Sequence, residues 1–497
     1  MFDYDDANEE SILNYAKTLV GKSVQNVIDD FNNSVVKHYI DPSKKSEFKV
    51  EDSVAYNTEL EYKALPNAKG EIGKIIENNF FGYKSNSNQE PDFPKIGVEL
   101  KITCFDKLKK KYSAGERLSI TNISYNDPVE EDFYKSHVWD KIKRILLIHY
   151  LRDKSKERSE YIFKYVNLFT PPEEDLKIIK SDYFKIINKI KAGEADTLSE
   201  SDTFYLGACT KGSTAEKSKR PQYYGNHALA KKRNFCFKQQ YMEFVLQEYV
   251  LQNCVPYESI IKNGIELTDI SFEDFVLKKI NNNIGCTDYD LCVKYKLEYT
   301  NNKAQWINLA YRMLGIKTCK AKEFVKANVV VKTIRLEDNN KIKESMNFPP
   351  FKFLELKDEN WEDSSLYNYL ENTKFLFVIF KRDGSYYRLL GSQLWNIPSY
   401  DLNVVVRKGW EDIRNCIING IDFDTSGKVV KNSLPGKKNN EIIHIRPHSQ
   451  LAAYKLNNGF TQGNVKRDAN ELPNGEWMTT QSFWFNSSYI LKQLKYK

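Results

Sequence analysis

The sequence is sparing with the features that most directly fix a protein's class. Its eight cysteines, at positions 104, 209, 236, 254, 286, 292, 319 and 416, form no CxxC pair and no cluster with histidine. That excludes a structural zinc site and a disulfide framework, and it fits a reducing compartment. No apolar run approaches the length of a membrane span, and the acidic opening MFDYDDANEE lacks the basic and apolar regions of a signal peptide. A cytoplasmic protein with no membrane partner is expected. Charge does not lean hard either: 74 Lys and Arg against 67 Asp and Glu leave +7 on 497 residues, which is compatible with a polyanionic partner without requiring one.

What is present is ordinary globular material, 41% hydrophobic and 28% charged, in a chain long enough for several buried cores. Residues 8–31 carry helical periodicity (Ile12, Tyr15, Ala16, Leu19, then Val24, Val27, Ile28, Phe31), which predicts two short helices broken at Gly21. Residues 40–66 read as an irregular connection. KGEIGKIIENNFFG, from Lys69 to Gly82, predicts a helix with Ile72, Ile75, Ile76 and Phe80 buried and Gly82 as its stop. Further strand and helix patterns follow, and the polar, Asn-rich stretch 253–300 reads as a connector between two domains, 1–252 and 301–497.

One stretch suggests chemistry. Glu90 to Thr103 reads EPDFPKIGVELKIT, and its apolar, β-branched run from Ile96 to Ile102 predicts a short strand. Side chains two apart on a strand share a face, so Glu99 and Lys101 point the same way, with Asp92 in the turn leading in. Two carboxylates and an amine converging on a point suit Mg²⁺-assisted phosphodiester hydrolysis: the carboxylates hold a hard cation and the lysine orients or helps deprotonate a water. Spacing alone leaves a solvated strand edge as the other reading. Glu77, on the preceding helix, reads on pattern as a solvated charge. Lys141, Lys143 and Arg144 read either as a charged lead-in to the strand Ile145–Tyr150 or as phosphate binders.

The second half echoes the first, in order. VELKI (98–102) returns as VVVKTI (329–334), RILLIHYLRD (144–153) as KFLFVIFKRD (374–383), DYFKIINKIKAG (182–193) as GWEDIRNCIING (409–420), and FCFKQQYMEFVL (235–246) as FWFNSSYILKQL (483–494). Four echoes in register order predict a duplicated domain. Placing Lys332 on Lys101 puts Val330 at the Glu99 position and Glu323 at the Asp92 position, so the second copy should bind metal poorly.

Three ordered motifs then carry a resemblance: KGEIGKIIE (69–77), DFPKIGVELK (92–101) and SHVWDKIKRILLI (136–148). They match the KGxxGxxxE, DFxxxGVELK and SHVxxKxKRxLxI patterns, and the chain resembles the type II restriction endonucleases of the MutH/Sau-three-AI family over nearly its full length. The resemblance implies an α/β PD-(D/E)XK, restriction-endonuclease-like fold, duplicated, with an active N-terminal copy and an inactive C-terminal copy. It implies Glu77, Asp92 and Glu99 as carboxylates for Mg²⁺, Lys101 as the catalytic lysine and Lys141 as a second functional lysine, with Lys69 and Gly70 in the first motif. Its target is double-stranded DNA containing GATC, cut on both strands before the G to leave 5′ overhangs. The inactive copy is expected to be an allosteric binder of a second site. A DNA-induced dimer and a cognate methyltransferase, without a stable complex, belong to the same picture. A mismatch-repair nicking enzyme and a non-cleaving GATC binder are the alternatives. The base-reading segment departs from the MutH pattern IRPK: the first copy has ACTK (208–211), keeping Lys211 but with Cys209 for the arginine, whereas the second has IRPH (445–448), with Arg446 and His448. At the aromatic position near the adenine the first copy has Cys236 and the second Trp484.

Overall fold

A computed structural model describes residues 3–40, 70–83, 89–108, 111–210, 219–225, 227–253, 257–267, 270–318, 320–342 and 345–496. Nearly all of the connection expected over 40–66 lies outside them, as do Lys69 and Lys211. The chain divides into two compact units. The first comprises Met1–Asn188, Ala208–Tyr223 and Lys231–Pro256, and the second Lys189–Gly207, Tyr224–Ala230 and Tyr257–Lys497. Among the described residues no helix is long and apolar enough to cross a membrane.

In the first unit, α1 (Glu9–Lys17) and α2 (Val24–Ile40) are parted at Gly21 as the periodicity predicts. The Asn8 side chain caps α1 by accepting from the backbone N–H groups of Glu10 and Ser11. Helix α3 (Glu71–Ile75) runs on into one π-helical turn, Ile76–Phe80. The central sheet contains β1 (Glu99–Lys107), β2 (Tyr112–Ala114), β4 (Ile145–Arg152) and β5 (Ile162–Phe169) in the order β2-β1-β4-β5, with β3 (Leu118–Asn122) in a separate sheet. Strands β1 and β4 are parallel, with Glu99 opposite Ile145 and Lys101 opposite Leu147. The helices α1, α2 and α3 cover one face: Ile12, Ala16, Val24, Ile28, Ile72 and Ile75 form one core with Leu100, Leu146 and Ile148. Burying Leu100 inward turns its neighbours Glu99 and Lys101 to the opposite face. The second sheet has the order β3-β7-β6, with β6 (Leu206–Thr210) and β7 (Arg233–Phe237).

In the second unit, four helices, α4 (Phe272–Asn281), α5 (Asp288–Lys294), α6 (Lys303–Met313) and α7 (Lys322–Ala327), precede β8 (Val329–Leu336). Strands β9 (Met346–Pro350), β10 (Lys374–Asp383), β11 (Tyr386–Trp395), β12 (Ile443–Pro447) and β13 (Gln481–Phe485) follow. The order β8-β10-β11, parallel then antiparallel, repeats β1-β4-β5, and β9-β13-β12 repeats the first–last–middle order of β3-β7-β6. The registers agree as well. Phe377 stands opposite Lys332 as Leu147 stands opposite Lys101, which is the pairing the two sequence echoes require of each other. The stretch expected as a connector carries α4 and α5, and both are built into this unit: Gly285 N–H donates to the Leu389 carbonyl at 3.0 Å and Tyr387 N–H to Asp288 Oδ1 at 2.9 Å.

Candidate active site

The spacing of Asp92 and Glu99 has a local cause. Phe93 and Val98 form an antiparallel bridge, their N–H groups donating to each other's carbonyls at 2.9 and 3.2 Å, around the four-residue turn Pro94–Gly97. Proline early in the turn and Gly97 at φ +65° supply the backbone angles that the reversal needs. The residues flanking the bridge are therefore neighbours: Leu100 N–H donates to Asp92 Oδ2 at 2.9 Å and Asp92 N–H to Glu99 Oε2 at 3.3 Å. The turn also corrects the strand's start. Ile96 and Gly97 belong to the reversal, and β1 begins at Glu99 rather than Ile96.

Glu99 is 2% exposed and both its oxygens are taken by lysines. Lys101 Nζ lies 2.6 Å from Oε1 and Lys141 Nζ 2.8 Å from Oε2. Each ammonium has a second anchor, Lys101 on the Ile120 carbonyl at 3.3 Å and Lys141 on the Glu90 carbonyl at 2.5 Å. Lys141 reaches the cluster from a short helix, His137–Ile142, whose N-cap Ser136 accepts from Trp139 N–H. The segment that reads as a charged lead-in is thus helical, and Lys141, 6% exposed, points inward.

Glu77 stands in the π-helical turn Ile76–Phe80, half-buried. Burial pushes its carboxyl upward, Lys101 opposes this and Glu99 adds to it, so the two elements are electrostatically coupled. Asp92 is pushed up to about 7, first by burial and then by the Glu99 charge, against the pull of Lys101, Lys141 and the Leu100 N–H. Tyr83 completes the group, and no sequence motif marked it. Its hydroxyl is buried without a hydrogen-bond partner, and burial together with Asp92, Glu77 and Glu99 pushes it well above the usual range.

The donor set can be tested against a divalent cation. Among the described residues no three His, Cys, Asp or Glu side chains close into a ready ligand shell. The donors nevertheless fit a hard cation that keeps waters: all are carboxylate oxygens, and Asp92 and Glu77 are each pushed upward by burial and by the Glu99 charge, a load that a positive ion relieves. Glu99 would join such a shell only by sharing its oxygens with, or releasing, its lysines.

The second unit keeps only one of these parts. Val330 replaces Glu99 and packs against the apolar core. Glu323, seven residues earlier, sits on α7 rather than in a turn, and its carboxylate accepts from Ser259 Oγ and from the N–H groups of Ile260 and Ile261 at 2.9 and 3.2 Å. It holds a loop, and among the described residues it belongs to no acidic cluster of metal-binding size. Four residues before Phe375, where Lys141 precedes Ile145, stands Glu371.

Of the other sequence candidates, Gly70 is the left-handed N-cap of α3, at φ +91°. Arg446 is exposed on the face of β12 opposite the core residues Ile443 and Ile445, with its guanidinium 5.3 Å over the Trp484 ring of β13. His448 is also exposed, with Nδ1 3.4 Å from Ser482 Oγ. Their first-half counterparts Cys209 and Cys236 are buried.

Comparison with known proteins gives two levels of likeness. The family model of the DNA mismatch repair enzyme MutH matches residues 81–182, which include Asp92, Glu99, Lys101 and Lys141 but begin after Glu77. The chain is 33% identical over 463 residues to the type II restriction enzyme Sau3AI of Staphylococcus aureus, covering 87% of this chain and 94% of that protein. It is 26% identical over 188 residues to the DNA mismatch repair protein MutH of Shigella boydii, and 26% over 193 residues to that of Salmonella newport, each match covering 38% of this chain.

Proposed function

Because the chain belongs to the family of type II restriction enzymes that includes Sau3AI, we propose that it is a Mg²⁺-dependent endonuclease that cuts both strands of duplex DNA at GATC, before the G, leaving 5′ overhangs. The observation that carries this reading is one buried carboxylate, Glu99, held between two lysines at 2.6 and 2.8 Å with Asp92 folded back beside it.

Glu77, Asp92 and Glu99 would hold the cation. When bound, it polarises a phosphate oxygen and acidifies a water. Lys101, fixed by Glu99 and the Ile120 carbonyl, donates a hydrogen bond that orients the attacking water in line with the scissile bond. Lys141, fixed by Glu99 and the Glu90 carbonyl, keeps the glutamate in place and places a second positive charge beside the phosphate.

The second unit is a duplicated copy without the reaction. On this reading it binds a second GATC duplex as an allosteric effector, with Arg446 reading a guanine edge beside Trp484 and His448. Two such chains pair on DNA, and a methyltransferase of the same system protects the host sequence. The guanidinium stacked on Trp484 supports base readout, because a preset arginine fork matches the two acceptors of guanine.

Plasmid incubated with the protein and Mg²⁺ separates the possibilities. Discrete fragments with GATC ends support the proposal. Nicked circles alone mean a MutH-like nicking activity, and a mobility shift without cleavage means a binding protein; either overturns it. Asp92→Ala and Lys101→Ala should abolish cutting and leave DNA binding largely intact.

A further inference from the structure

Three tyrosines meet in the aromatic cluster beside the acidic group of the first unit. Tyr4 meets Phe81 and Phe93 edge-on at 5.6 and 6.2 Å, and Tyr15 stacks on Phe80 at 4.5 Å. Both have their hydroxyls settled: Tyr4 donates to the Phe81 carbonyl at 2.8 Å and Tyr15 to the Phe80 carbonyl at 2.9 Å. The third, Tyr83, has a buried hydroxyl with no partner. Its place is fixed from two sides. Gly82, at φ +74°, turns the chain back at the end of the π-helical turn, and Tyr83 N–H donates to the Glu77 carbonyl at 3.1 Å. The ring packs on Phe93 at 5.8 Å and on Phe81 at 6.3 Å, and Phe93 is the residue that follows Asp92 into its turn. One backbone bond thus ties Tyr83 to Glu77, and one ring contact ties it to the Asp92 hairpin. The charges that act on its hydroxyl are, in order, those of Asp92, Glu77 and Glu99.

A phenol that only filled space here would be worse than phenylalanine, because a buried hydroxyl without a hydrogen bond carries a desolvation cost. The same hydroxyl has a use once the carboxylates hold an ion. Mg²⁺ keeps several of its waters, and each of those waters needs an acceptor for its protons. Much of the carboxylate capacity is already engaged: both Glu99 oxygens lie on lysines, and Asp92 Oδ2 accepts from the Leu100 N–H. We propose that Tyr83 is a positioning residue for the cation's hydration shell: its hydroxyl oxygen accepts from a water that the cation retains, and its proton turns to a carboxylate oxygen of the cluster. A hydroxyl rotor is donor and acceptor at once, so one atom makes both bonds. The proposal rests on the reading of Glu77, Asp92 and Glu99 as the cation's ligands, and it gives a role to a residue that lies in none of the three sequence motifs.

The test needs neither DNA nor cleavage. Wild-type protein, Tyr83→Phe and Tyr4→Phe, each as the full chain freed of metal with EDTA, are melted across a Mg²⁺ titration. The quantity read is the Mg²⁺ concentration at which the melting temperature begins to rise. Without metal, Tyr83→Phe should melt with the wild type or slightly above it, since no hydrogen bond is lost. With metal, its rise should need about tenfold more Mg²⁺, the usual loss when a residue behind the metal ligands is removed. Tyr4→Phe should give the opposite pattern. It loses the bond to the Phe81 carbonyl, so it should melt lower without metal and respond to Mg²⁺ as the wild type does. An unmoved Mg²⁺ response in Tyr83→Phe overturns the proposal. So does an equal displacement in Tyr4→Phe, which would mean that loosening the aromatic cluster is enough. A wild type that does not respond to Mg²⁺ at all is the separate failure of the cation reading, and the role of Tyr83 falls with it.

Discussion

Replacing Asp92 by asparagine should make the metal-free protein more stable while abolishing cleavage. Asp92 is held between burial and the Glu99 charge, and its carboxyl is pushed from 3.8 to about 7. A group whose folded affinity for a proton exceeds its unfolded one makes the protein less stable as pH rises. The penalty is absent below about pH 4, grows through the window between 4 and 7, and is complete above 7. A displacement of that size corresponds to about 4 kcal/mol at pH 8 as an upper figure. Movement of the side chain toward water relieves part of it, and about 1–2 kcal/mol should be realised. For a unit of this size that is a rise of about 3–6 °C in melting temperature. Asparagine retains the acceptor for the Leu100 N–H, so the turn keeps its hydrogen bond and only the charge is lost. Thermal denaturation in EDTA at pH 8 and pH 4 measures the effect. The gain should be present at pH 8 and absent at pH 4, and Mg²⁺ should shrink it by stabilising the wild type alone. A D92N protein that melts below the wild type at pH 8 in EDTA, or a gain of equal size at both pH values, would refute the electrostatic account of the site.

Lys141→Ala leaves buried Glu99 with one of its two lysines, and urea denaturation should show a loss of about 3 kcal/mol alongside lost cleavage. Tyr83→Phe removes a buried hydroxyl that has no partner; stability should hold or rise slightly, while the single-turnover cleavage rate should fall if the hydroxyl serves the hydrated cluster, and an unchanged rate removes Tyr83 from the site. Glu323→Ala takes away the acceptor for Ile260 and Ile261 N–H, so it should lower the melting temperature by a few degrees and leave the cleavage rate per folded molecule unchanged.

The central part of the site is legible in the sequence because it is local. Asp92, Glu99 and Lys101 lie within ten residues, and a turn with its proline and glycine, followed by strand alternation, decides where they point. Lys141 is legible only through its motif. Its inward direction depends on a helix of six residues, His137–Ile142, too short to leave a periodicity. Tyr83 could not be found, since its place depends on how the chain leaves a π-helical turn, and neither feature has a residue signature. Counting back from Lys332 to Glu323 fails for a related reason. The spacing is preserved, but α7 runs through Ala327 into β8, and seven residues of helix do not fold back as seven residues of hairpin do. The strand registers transfer well between the halves because a one-residue slip would reverse every inward side chain.

The two units differ at the positions that would hold a cation. Val330 stands where the first unit has Glu99 and packs against the apolar core, and Glu323 accepts from the N–H groups of Ile260 and Ile261. Lys332 remains on the strand, half-buried, with Nζ 3.4 Å from the Asn347 carbonyl. A strand amine without the neighbouring glutamate does not make a cation site, because the hard ion needs oxygen ligands. Mg²⁺-dependent stabilisation against heat should therefore disappear with Asp92→Ala and persist in Glu323→Ala, and a Mg²⁺ effect that survived Asp92→Ala would place the cation elsewhere.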